Sequence, residues 1–162
     1  MLASACLLSA GCASDKVNVD DPLADVRNPR LPDRRRVEAI DKAWEQAEKG
    51  EVDRITVRDE LKNVAWSSSW PIAMRMEALH KLAADPKGLE DTHVNVVKLM
   101  LPREPDHQVT GFLVTQAVEH GWDDCVPAMI RSLSRPWPGV RRRHSISLRI
   151  WASTVSAYSS SS

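Results

Sequence analysis

An all-α fold is predicted for this 162-residue chain by three observations. Apolar residues recur at helical spacing from residue 33 onward, capping and stopping residues punctuate them at short intervals, and no stretch alternates as a strand does. Composition agrees, with six Trp against one Phe and one Tyr in a background rich in Ala, Leu and Val. A net charge of +0 with 27% charged residues describes a modest globular body rather than a disordered or fibrous chain. Without a global field, nucleic acid or an anionic membrane can be attracted only through a local patch.

The elements follow one another closely. Pro32-Asp33 opens a helix to about Lys49, with Val37, Ile40, Trp44 and Ala47 on one face and Gly50 as its stop. Thr56 with Asp59 three residues on resembles a capping box ahead of Val57, Leu61, Val64 and Ala65. The stretch SSSWP at 67–71 ends that helix and starts the next, whose predicted apolar face is Ile72, Met76, Leu79 and Ala83. After the DPKG turn at 85–88, Leu89, Val96, Val97, Met100 and Leu101 form another stripe, stopped at Pro102. Asp106 caps a helix carrying Val109, Phe112, Leu113 and Ala117, with Gly121 as its left-handed end. Asp124 is the expected cap of a last helix, with Pro127 in its first turn and Met129, Ile130 and Leu133 as its apolar residues.

Short helices joined by short turns pack either as stacked antiparallel hairpins or as a compact bundle. Val57-Arg58, Met74-Arg75, Val109-Thr110 and Val140-Arg141 each open a helix, and in the first three cases small or apolar residues follow four and eight places on. This pattern, with Asp85-Pro86 as a preceding turn, resembles the HEAT-like repeat. That resemblance implies an α-solenoid over residues 33–140, with Asp33 to Lys49 as a capping helix; a compact helical bundle is the alternative.

The N-terminal segment is read separately. Residues 1–11 carry no charge and span about half the length a transmembrane helix requires. A short apolar run ending in small residues is the form of a secretory signal. Leu8-Ser9-Ala10-Gly11-Cys12 resembles the lipobox of bacterial lipoproteins. The resemblance implies cleavage between Gly11 and Cys12 and acylation of Cys12, with Ala13 favouring the outer membrane, facing the periplasm. No Lys or Arg precedes the apolar run, so either the chain starts further upstream or the segment is not a signal and the protein is cytoplasmic. Residues 12–32 are polar, with prolines at 22 and 29 and no apolar period, and are expected to form a flexible tether of roughly 25 Å. Residues 141–162 are basic and Ser-rich, without an acid, and are expected to be a disordered tail, the product of a truncated or frame-shifted final repeat rather than a nucleic-acid arm.

Chemistry is sparse. Cys6, Cys12 and Cys125 are the three cysteines, too few beyond residue 12 for a disulfide framework. His80, His93, His107 and His120 recur about every 13 residues, but no His pair stands at i,i+4 and no Cys-x-x-Cys occurs, so no metal or other cofactor is expected. The acidic pairs Glu90-Asp91 and Asp123-Asp124 fall in expected first turns, where carboxylates complement the helix dipole. No Gly-rich phosphate loop or nucleophile elbow is present. The expectation is therefore a non-enzymatic, lipid-anchored envelope protein that binds another envelope protein, with Trp66, Trp70, Trp122 and Trp137 as candidate contacts. No nucleic acid or small-molecule substrate is expected. The alternatives are a small envelope enzyme using Cys125 with His120, and a cytosolic helical module.

Overall fold

A computed structural model of the chain describes residues 16–85 and 97–133. Every regular element among them is helical, and the chain divides into two compact units, Met1–His93 and Val94–Ser162. Cys6, Gly11, Cys12, Leu89, Val96, Trp137 and the 141–162 tail lie outside the described residues.

The first unit holds four helices: α1 (Pro22–Arg27), α2 (Asp33–Glu48), α3 (Arg54–Trp66) and α4 (Ile72–Ala84). Helix α1 corrects the expectation of a tether over 12–32. The Asp21 side chain accepts a hydrogen bond from the Ala24 amide at 3.1 Å, Pro22 occupies the first turn, and Leu23 and Val26 are buried. Six residues with two apolar positions show no period of their own, and packing on α2 supplies the order.

Helix α2 starts and stops as its sequence predicts. At its end the Gly50 amide donates to Ala47 O and the Glu51 amide to Gln46 O, a Schellman motif with Gly50 at φ +74°. Ala39, Ile40, Ala43, Trp44 and Ala47 are buried, whereas Val37 is only half-buried. Helix α3 is capped by Asp53 rather than by Thr56: Asp53 accepts from both the Thr56 amide and the Thr56 hydroxyl. Its predicted face is the buried one, Val57, Leu61, Val64 and Ala65 all being excluded from solvent.

Helix α4 turns inward the residues of the repeated pattern, together with Leu79 alone of the separately predicted apolar face. Met74, Arg75, Ala78, Leu79 and Leu82 are buried, while Ile72 is 44% exposed and Met76 and Ala83 are half-buried. Arg75 occupies a core position beside the apolar stripe of Met74, Ala78, Leu79 and Leu82 that follows the repeated pair. Helices α2, α3 and α4 each pack against the other two, and α1 packs on α2.

In the second unit residues 97–100 are helical, followed by α5 (His107–Glu119), a 3₁₀ turn (Asp123–Cys125) and α6 (Val126–Leu133). Asp106 caps α5 as expected, accepting from the Gln108 and Val109 amides at 2.8 and 3.1 Å. Val109, Leu113, Val114 and Ala117 are buried, and Gly121 at φ +64° closes a second Schellman motif, with Trp122 N donating to Ala117 O at 2.8 Å. Asp124 is not a helix cap. It lies inside the 3₁₀ turn, and its carboxylate meets Lys98 Nζ at 2.7 Å. The charge of Lys98 holds the Asp124 carboxyl below its ordinary range, chiefly through that hydrogen bond.

Candidate interaction site

Of the four candidate tryptophans, the structure brings two to one turn. Trp66 is the last residue of α3, and Trp70 stands two residues before α4 begins at Ile72. The chain between them is tight: Trp70 N donates to Ser67 O at 3.3 Å, and the Ser67 and Ser69 hydroxyls are 2.7 Å apart. Both indoles are half-buried, and Ile72 is exposed beside them in sequence. The outcome is an amphipathic turn in which apolar side chains stand at the surface although polar serines separate them.

Arg36 fixes this turn to the rest of the unit. Its guanidinium carbon lies 4.9 Å from the centroid of a Trp70 ring, a cation–π arrangement, and its Nε donates to Val26 O at 3.0 Å. One buried arginine thus joins α1, α2 and the α3–α4 turn. Trp122 belongs to the second unit, where its ring stacks on His120 at a centroid distance of 5.2 Å and an interplanar angle of 18°. Trp137 lies outside the described residues.

A polar cluster absent from the sequence-based candidates gathers at the other end of α2. The Asp85 side chain is 1% exposed, with Arg54 Nη2 at 3.3 Å and Arg58 Nε at 3.3 Å. Arg54 also lies 5.4 Å from the centroid of a Trp44 ring, and Trp44 Nε1 donates to Glu48 at 3.0 Å. Arg75, 1% exposed, donates from Nε to Ala65 O at 3.2 Å. The signal for these buried arginines was present in the repeated pair: the residue after Val57, Met74 and Val109 is a buried polar one in all three helices, namely Arg58, Arg75 and Thr110.

The Cys125–His120 pair has a different character from a prepared nucleophile. The Cys125 side chain is buried, and burial pushes its thiol pKa up; the Lys98 charge opposes this and the Asp124 charge reinforces it. Nucleophilic sulfur chemistry requires the thiolate, which this environment disfavours. His120 is exposed and engaged with Trp122. Among the described residues no group of three or more His, Cys, Asp or Glu side chains is placed to hold a metal ion, and no helix is long and apolar enough to cross a membrane. The chain matches no protein-family model, no curated protein and no solved structure.

Proposed function

We propose that the protein is a non-enzymatic, lipid-anchored envelope protein whose helices serve as a protein-interaction scaffold, with Cys12 acylated after cleavage behind Gly11. The anchor rests on the Leu8–Cys12 pentad set between an apolar run and polar sequence. Multiple acyl chains on one cysteine exceed the threshold for stable anchoring, each buried methylene contributing about 0.8 kcal/mol. The observation that carries the scaffold reading is the Trp66–Trp70 turn with exposed Ile72, because half-exposed aromatic and aliphatic side chains held by a rigid framework suit a binding anchor.

A HEAT-like stacking of hairpins is supported by the shared burial of position i, i+1, i+4 and i+8 in α3, α4 and α5: Val57, Arg58, Leu61 and Ala65; Met74, Arg75, Ala78 and Leu82; Val109, Thr110, Leu113 and Ala117. The competing bundle is favoured in the first unit by the mutual packing of α2, α3 and α4.

Two experiments test the proposal. Metabolic labelling with a radioactive fatty acid is expected to mark the wild type and not Cys12→Ser; an unlabelled wild type refutes the anchor. A photo-crosslinking residue at Ile72 is expected to capture one envelope protein that the same residue at exposed Asp59 on α3 does not. Equal capture at both positions, or none at Ile72, refutes the scaffold reading.

A further inference from the structure

The segment 19–26 runs antiparallel to α2. Val19 O accepts a hydrogen bond from Gln46 Nε2 at 2.7 Å near the C-terminal end of α2, and Val26 O accepts from Arg36 Nε at 3.0 Å in its first turn. Helix α1 is six residues long, too short to persist in water by itself, so its order depends on this docking. Its buried residues are Pro22, Leu23 and Val26. Val26 O is one of the last carbonyls of α1, which have no partner within their own helix. A charged donor at that carbonyl is a C-terminal cap, and here Arg36 supplies it from a neighbouring helix.

The same guanidinium stands 4.9 Å from the centroid of a Trp70 ring, and Arg36 as a whole is 7% exposed. Its other side-chain polar contact, Asp33 at 3.7 Å, lies one turn earlier on its own helix and has a side chain 57% exposed. One rigid planar group thus carries two engagements, the last turn of α1 and the face of Trp70. Undocking α1 removes the buried acceptor and leaves the surface carboxylate of Asp33, which draws the guanidinium outward and off the ring. We infer that Arg36 is a positioning residue that couples the docking of α1 to the setting of Trp70, so that the N-terminal segment governs the Trp66–Trp70 turn. The regulatory part rests on the contact role proposed above for that turn; the coupling itself does not. Linkage makes the effect reciprocal: docked α1 holds the turn pre-organised for a partner, and a partner seated on the turn holds α1 in place.

Fluorine NMR of the full chain carrying 5-fluorotryptophan tests the coupling without any partner. The six Trp give six resonances, and Trp70→Phe and Trp44→Phe identify two of them. Leu23→Asp combined with Val26→Asp undocks α1 and is expected to move and sharpen the Trp70 resonance. The resonance of Trp44, 4% exposed in the core of the same unit, is expected to stay. Arg36→Gln is expected to move the Trp70 resonance likewise, and the paired aspartates to add nothing further in that background. A Trp70 resonance that keeps its place when α1 is undocked overturns the inference, as does an equal movement with and without Arg36. The reverse direction leaves the buried residues of α1 intact: Trp70→Ala is expected to speed amide hydrogen exchange across α1 about 5-fold or more, and to change nothing in Arg36→Gln. Absence of that acceleration overturns the inference too, and decides it should the aspartate variant lose its fold. Capture through the photo-crosslinking residue at Ile72 is expected to fall several-fold on undocking α1, and unchanged capture overturns the regulatory step. A wild type that captures nothing at Ile72 refutes the contact reading alone, because the fluorine shifts need no partner.

Discussion

Arg75 is 1% exposed, and with Arg58 and Asp85 it places polar groups where a purely apolar period would put leucines. The buried face of α4 was legible in the repeated pair, which marks Met74, Arg75, Ala78 and Leu82, whereas the apolar stripe drawn through Ile72, Met76, Leu79 and Ala83 shares only Leu79 with it. A buried charge whose partner is removed loses far more than an exposed pair does. Asp85→Ala is accordingly expected to destabilise the protein by about 3–5 kcal/mol by removing the buried carboxylate that faces Arg58, whose side chain is 9% exposed. Arg54→Ala, with a side chain 40% exposed, is expected to cost about 1 kcal/mol or less. Urea denaturation of the two variants measures the contrast, and equal midpoints would refute it. Cys125 makes a second residue-level prediction. Because burial favours its neutral thiol, a disulfide reagent at pH 8 is expected to titrate this cysteine slowly in the folded protein and rapidly in urea.

At the scale of the element, capping residues were the most readable features and short elements the least. Asp106, Gly50 and Gly121 were identified from local chemistry because a cap or a left-handed stop depends on one or two residues. The α3 cap was misplaced by three residues, since Thr56 at the third helical position is itself a ligand of the Asp53 carboxylate. The Thr56 hydroxyl, followed by its amide, holds the Asp53 carboxyl below its ordinary range. Asp53→Ala is expected to lower stability by about 1 kcal/mol, read as a fall in the urea midpoint and in helical circular dichroism. The last turns of α2 add to the acid sensitivity that Asp53 and Asp124 bring. Hydrogen bonds from Lys49 and then Lys42 lower the Glu45 pKa from its ordinary 4.5 to about 2. A carboxylate whose pKa is lower in the folded state contributes stability that is fully present above its ordinary value and is lost as pH falls toward the folded one. The thermal midpoint of the wild type is therefore expected to fall between pH 4.5 and about 2, and that of Glu45→Gln to fall less over the same interval.

For the whole molecule, helical class and the approximate course of α2, α3 and α5 were legible, because long amphipathic segments announce themselves locally. Division into two units was not, since it depends on which helices meet, and the order of α1 depends on contacts ten and more residues away. The first unit has its own core, with Ile40, Leu61, Met74 and Leu79 wholly excluded from solvent. A fragment of residues 13–93 is expected to be helical by circular dichroism and to melt cooperatively; a non-cooperative, largely unfolded fragment would refute its independence. The candidate site was half legible: the tryptophans were marked by their positions at expected helix boundaries, whereas the arginine beside Trp70 comes from a helix 34 residues earlier.

The antiparallel course of residues 19–26 along α2 has a mechanical consequence. Tension applied from the N-terminal side draws this segment along the axis of α2, so its attachments are loaded in shear, all together, rather than peeled one after another. Those attachments are the Val19–Gln46 and Val26–Arg36 hydrogen bonds, the Asp25–Arg35 contact at 3.7 Å, and the bidentate Arg27–Glu60 pair at 2.9 and 2.8 Å. Force arriving from the N-terminal side therefore loads these attachments of α1 before it reaches the core of α2, α3 and α4.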